Sequence, residues 1–167
     1  MYNPAYFDKL CPVLKQCLPA FDCNDFIFRI FNNDWPEENL KEKVRHISRV
    51  LNHFLSENFA EAANQIVEIV DVLKRHFPAR RFENIFLADY VEMFGIDYPD
   101  IALRTLQNLG PFVNTEFALR AFLIHHPDRT LEHLVKWSSS DNADIRRLAS
   151  EPLKTPGSHS KVDPIMN

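Results

Sequence analysis

Residues Asn114 to Glu151 read NTEFALRAFLIHHPDRTLEHLVKWSSSDNADIRRLASE, and three helix starts are written into that one stretch. Asn114 or Thr115 precedes the run EFALRAFLI, and Pro127-Asp128 opens a second run that reaches Trp137. Asp141 precedes ADIRRLAS, with Asp144 three residues on in the position of a capping box. Connections this short force consecutive helices to pack against each other. The stretch therefore predicts a helical repeat, and its acid Glu116 and its pair Arg146-Arg147 point to a phosphate or a cation as partner.

Working outward, the same grammar recurs. Leu10, Val13, Leu14 and Cys17 lie at helical intervals in Tyr6 to Leu18, ahead of a Pro19 that cannot continue the helix. Asn24 is placed to cap DFIFRIF, and Asp34-Trp35-Pro36-Glu37-Glu38 sets a proline and two acids in the first turn of a long helix. That helix carries Leu40, Val44, Ile47, Leu51, Phe54 and Leu55. Asn58 opens the next, with Phe59, Ala62, Ala63, Ile66, Val70 and Leu73 on one face and Lys74-Arg75-His76 at its end, where cations complement the helix dipole. Phe77 to Phe82 reads as a loop. Asn84 to Phe94 forms a helix stopped by Gly95, and Asp97 to Leu109 another stopped by Gly110-Pro111. About nine helices and no strand result, an all-α fold. Its short links imply antiparallel pairs stacked on each other, the plan of a HEAT-like α-solenoid. Residues 1–151 form this domain; from 152 to 167 the sequence PLKTPGSHSKVDPIMN loses apolar periodicity and is expected to be a disordered tail.

Composition agrees. The chain has 167 residues, 46% apolar and 25% charged, with 14 Phe, which suits one domain burying roughly two thirds of its unfolded surface. Only three glycines occur, too few for hairpin-rich architecture or phosphate-cradling loops. A formal charge of −4 argues against a uniformly basic coat for nucleic acid and leaves room for a local basic face. No N-terminal basic-then-apolar leader is visible and no apolar run approaches the length of a membrane span, so a cytoplasmic protein with no membrane partner is expected. Cys11, Cys17 and Cys23 lack CxxC spacing; they read as buried thiols, without a disulfide framework or zinc site.

The phrases FVNTEFALRAFLIHHPDRTLEHLVKW and DNADIRRLASE resemble the AlkC branch of the AlkC/AlkD DNA alkylation-repair glycosylases, which are built from HEAT-like repeats. LKEKVRHISRVL with FLSENFAEAANQIV, and DYVEMFGIDYPDIALRTLQNLG, are similar to the same branch, so the resemblance covers most of residues 6–151. In that family the RRLASE phrase is followed by a glycine, an RPRLPW-like segment and further repeats that complete the DNA-binding concavity and add another catalytic acid. Here Pro152 stands in the glycine's place, and the expectation is a truncated form that keeps the N-terminal half of the concavity.

What the resemblance implies is a 3-methyladenine/7-methylguanine DNA glycosylase whose partner is double-stranded DNA with alkylated bases. It needs no cofactor. A base already made cationic by alkylation leaves without a general acid, so the task is to stabilise the sugar as it becomes an oxocarbenium ion and to position a water. By family correspondence Glu116 is the catalytic carboxylate; Arg120, and Arg146 and Arg147 standing about 100° apart on their helix, are the expected DNA contacts. The residues also allow a plainer reading. Acids in a first helical turn stabilise the helix, Arg120 lies at i+4 to pair with Glu116, and the Arg146-Arg147 pair can bond to Asp141 or Asp144. His125, His126 and His133 face different ways and assemble no metal site. His46 either reaches DNA or packs between helices, with packing preferred, and Trp137 is placed in the core. Lys74, Arg75, His76, Arg80 and Arg81 make the densest positive patch, either flanking DNA or forming a solvated loop. The alternative function is a non-catalytic HEAT-like module that binds DNA or protein. An open solenoid end would favour self-association.

Overall fold

The computed structural model describes residues 1–37, 39–79 and 81–154. Among them lie nine α-helices: α1 (Pro4–Cys17), α2 (Cys23–Ile30), α3 (Leu40–Asn52), α4 (Phe59–His76), α5 (Ile85–Gly95), α6 (Pro99–Leu109), α7 (Glu116–His125), α8 (Pro127–Ser138) and α9 (Ala143–Ser150). Two 3-10 turns, Phe82–Asn84 and Glu151–Leu153, complete the set, and no strand is present among the described residues. The all-α expectation holds.

The helices form two rows. In one row α3 packs on α5 and α5 on α7; in the other α1 packs on α4, α4 on α6 and α6 on α8, while α2 lies against α3 and α9 against α8. Cross-row contacts of α5 with α6 and of α7 with α8 close the interior. The apolar stripes explain this order. α4 turns Phe59, Ala62, Ala63, Ile66, Val70 and Leu73 inward, and α9 turns in Ile145, Leu148 and Ala149, all of them buried. At the N-terminal end the phenylalanines form a cluster of edge-on rings: Phe7 against Phe26 and Phe31, and Phe54 against Phe21 and Phe26, with centroids 5.1–6.0 Å apart. Edge-to-face geometry lets ring hydrogens meet ring faces, which adds to the gain from burial.

Several boundaries differ from those the sequence suggested. The cap of α2 is Asp22, whose carboxylate accepts from the Asp25 amide, and Asn24 lies inside the helix. The turn around Trp35 and Pro36 is not helical, and α3 starts at Leu40, where the Asn39 side chain accepts from the Glu42 amide at 3.2 Å. Trp35 is drawn away to pack on Phe31 and His46. α6 begins at Pro99, as a fixed φ favours the first helical position, and α9 is capped by Asn142 rather than Asp141, accepting from the amides of Asp144 and Ile145. α8 is also rotated from the face that its apolar Leu131, Leu134 and Val135 suggest. Thr130, Leu134 and Trp137 point inward, while Leu131 and Val135 are 44% and 67% exposed. The tail expected over 152–167 begins with Pro152 buried in the last 3-10 turn; residues 155–167 lie outside those described.

Gly110 follows α6 with φ −53°, an ordinary right-handed value, so it is not a left-handed cap. Its role is spatial: a methyl group there would lie 2.9 Å from Leu148 Cγ on α9 and closer still to both Leu148 methyls. Gly110→Ala is expected to destabilise the fold by about 1–3 kcal/mol through overpacking. In the double variant with Leu148→Ala the two losses should be less than additive, as measured by urea denaturation. Strict additivity would show that the two positions do not meet.

Candidate nucleic-acid interface

α7 carries the candidate carboxylate. Asn114 Oδ1 accepts from the Glu116 amide at 3.0 Å and starts the helix, so Glu116 sits in its first turn. Its side chain is only 10% exposed and lies 2.6 Å from Arg120 Nη2, the i+4 partner one turn on. The same Arg120 nitrogen donates to the Lys154 carbonyl at 3.2 Å, and the guanidinium stands 5.8 Å from the Phe117 ring centroid. Arg120 thus links the acid to the final 3-10 turn. Thr115 Oγ1, just before the helix, is buried with no hydrogen-bond partner among the described residues.

The arginine pair separates as helical geometry demands. Arg146 is exposed and donates to the Ser140 carbonyl at 2.7 Å, closing the loop ahead of α9. Arg147 is half-buried, without a side-chain ion pair or hydrogen bond among the described residues. Neither pairs with Asp141 or Asp144.

Beside Glu116 and Arg120 a cleft of about 220 Å³ opens between α3, α5 and α7. α7 contributes Phe117, Arg120 and Ile124, Asn114 stands just ahead of it, and the opposite wall is Lys41, Arg45, Asp89 and Glu92. Arg45 on α3 spans two carboxylates of α5, with Nε 3.1 Å from Asp89 Oδ1 and Nη2 2.8 Å from Glu92 Oε1. Behind them the fully buried Ser48 hydroxyl lies 2.9 Å from Asp89 Oδ2 and 3.0 Å from the Val44 and Phe86 carbonyls. Burial pushes the Asp89 carboxyl up to about 6, against the lowering pull of Arg45 and Ser48. The local geometry suits a shared proton. A protonated Asp89 can donate to Ser48 Oγ, which frees the hydroxyl to donate to a carbonyl. This second wall was not identified from the sequence. Its signal was a single acid, Asp89, inside the otherwise apolar run IFLADYV.

The other candidates have structural partners. His46 Nε2 donates to the carbonyls of Arg29 and Ile30 at 2.9 and 3.0 Å, which satisfies the end of α2, so packing is its role. His126 donates to the Ile96 carbonyl, His133 lies 3.4 Å from Asp100, and Trp137 is 3% exposed in the core. Among the described residues no three His, Cys, Asp or Glu side chains converge as metal ligands. Cys11 and Cys17 are buried as expected, whereas Cys23 is exposed, because it opens α2 at the molecular surface. Lys74, Arg75 and His76 occupy the last turn of α4; Arg80 lies outside the described residues. No described helix is long and apolar enough to cross a membrane.

Two rows of helices with an acid-bearing α7 and a charged cleft between alternate helices make this a helical-repeat fold of the AlkC type. The solved alkylpurine DNA glycosylase AlkC of Pseudomonas fluorescens, bound to DNA containing an abasic site analog, matches with a TM-score of 0.77. The two are 25% identical, over 90% of this chain and 40% of that one. The Bacillus subtilis (strain 168) protein YhaZ, described as an uncharacterized protein, is 30% identical over 151 residues, which are 90% of this chain and 41% of YhaZ. No protein-family model matches. The chain spans about two fifths of the length of these relatives.

The Asp89 environment predicts a pH signature. Its folded pKa lies above the ordinary 3.8, so between about pH 4 and pH 6 the native state holds a proton that the unfolded chain has released. Stability contributed by this group is present below that window and falls as pH rises through it, by about 3 kcal/mol at most. Asp89→Asn should flatten the pH dependence of urea unfolding between pH 4 and 7. An unchanged slope in the variant would count against the assignment.

Proposed function

We propose that this chain is the helical-repeat wall of a DNA alkylation repair protein and that it lies along double-stranded DNA containing alkylated bases. On this reading it belongs to a glycosylase that excises 3-methyladenine or 7-methylguanine. The observation that carries the proposal is the buried carboxylate of Glu116 in the first turn of α7, set in a fold that matches a DNA-bound AlkC glycosylase over nine tenths of this chain.

The chemistry follows from the leaving group. A purine that is already cationic departs with its bonding electrons and needs no proton, so positive charge accumulates on the deoxyribose. An ionised carboxylate beside the sugar stabilises that charge and orients the attacking water. Arg120 holds the Glu116 carboxylate at 2.6 Å and fixes its direction, and the first-turn dipole favours negative charge at this position. Arg146 and Arg147, on one short helix, are the phosphate contacts, with Arg120 as the side chain between sugar and backbone.

A second reading has its own support. The 2.6 Å pair and the Lys154 carbonyl engage Arg120 from two sides, an arrangement that also suits a non-catalytic module binding DNA or protein.

Two measurements decide. The chain should release methylated purines from alkylated duplex DNA, and Glu116→Gln should lower that rate by about a hundredfold or more while leaving duplex binding intact. Absence of release, or an equal rate in the variant, leaves the module reading. For binding itself, a gel shift should weaken steeply with salt, and Arg147→Ala should reduce the slope of log affinity against log salt by about 0.9, one phosphate's worth. No shift at low salt would remove DNA as partner.

A further inference from the structure

Four aromatic side chains gather where the C-terminal ends of α3 and α5 meet the starts of α4 and α6. Two form the outer side: Tyr98, 52% exposed just ahead of α6, and the half-buried Phe94 near the end of α5. Each is braced by a buried ring. Phe59 stacks on Tyr98 with centroids 5.6 Å apart and planes inclined by 15°, and Tyr90 lies against Phe94 with centroids 4.8 Å apart. Tyr90 is itself anchored, because its hydroxyl donates to Asn52 Oδ1 at 3.2 Å. Gly95 makes the arrangement possible, since a side chain there would collide with the Phe59 ring. The Tyr98 amide also donates to the Gly95 carbonyl at 2.9 Å, so the exposed tyrosine stands as a fixed wall.

Between these rings and Asn52, Ser56 and Glu57 lies a pocket of about 320 Å³, at the lower end of the range for small-molecule sites, about 300–1,000 Å³. It shares no lining residue with the cleft beside Arg120. Its electrostatic sign is negative. No Lys, Arg or His lines it, the lining Glu57 is exposed, and the Ser56 hydroxyl donates to a second acid, Glu61, at 2.7 Å. Two helices end here and two begin, so their dipoles oppose each other and leave the carboxylates to set the field. The faces of the rings add negative potential of their own.

We propose that this pocket binds a small organic cation carrying a quaternary ammonium group. A primary ammonium gives up strong hydrogen bonds to water on entering an aromatic site, whereas a fully methylated one has no N–H to leave unpaired. The ligand is a free small molecule rather than a side chain of a docked peptide. An extended peptide gains affinity by pairing its backbone with a sheet edge, and no strand exists among the described residues.

The experiment is a titration of the whole chain with tetramethylammonium chloride at constant ionic strength, followed by NMR of the tyrosine and phenylalanine ring resonances. Saturable shifts should centre on Tyr98 and Phe94. Tyr98→Ala, at an exposed position, should weaken binding about tenfold or more, and Glu57→Gln about two- to fivefold. The uncharged tert-butanol, of similar bulk, should bind about tenfold more weakly than the cation. No saturable shifts, shifts centred elsewhere, an equal response to tert-butanol, or undiminished binding by either variant would each overturn the proposal. A peptide carrying trimethyllysine should bind no more tightly than tetramethylammonium, and tighter binding would overturn the assignment to a free small molecule. The comparison with tert-butanol is decisive even if a variant fails to fold.

Discussion

One guanidinium sets the spacing of the row that carries the candidate site. Arg45 leaves α3, reaches both Asp89 and Glu92 of α5, and is backed by the buried Ser48 hydroxyl. These charges are partly shielded from water and depend on one another, so removing one partner leaves the others poorly satisfied. The seam between α3 and α5 therefore has one register, and α7, which packs on the far side of α5, inherits it. Glu116 owes its place to that chain of contacts as much as to its own helix. The cleft exists because a polar seam cannot collapse as an apolar one would.

The fold was legible because helix punctuation is local. Asn58 and Pro127 mark starts at the right positions, and the inward stripes of α3, α4 and α9 follow from periodicity alone. The misplaced starts share a cause. Asn24, Asp34 and Asp141 are all good cap residues with another good cap residue nearby, and the choice between neighbours depends on tertiary contacts such as Trp35 packing on Phe31 and His46. The rotation of α8 is similar. Its apolar residues surround the helix, and the buried Thr130, whose hydroxyl donates to the Phe122 carbonyl at 2.9 Å, could not be told from a surface threonine by pattern.

The site was half legible. The acid and arginines of α7 and α9 stand on the chain's most recognisable stretch, and pairing at i+4 between Glu116 and Arg120 follows from helix geometry. The opposite wall joins residues more than forty positions apart, and no local rule connects Arg45 to Asp89 and Glu92. The reach of Arg120 to the Lys154 carbonyl was hidden for the same reason, since |i−j| is 34.

The imidazole of His46 has a further consequence. α2 is eight residues long, too short to persist in water on its own propensity. Its last carbonyls are satisfied by a ring nitrogen from α3, and Phe26 and Ile30 are buried by neighbouring elements. The helix is therefore conditional on α3 rather than autonomous. Amide protons of α2 should exchange with solvent as one unit with the Trp35 loop, before the rows behind them open, so the first part of the chain is a separately opening foldon docked on a more persistent solenoid.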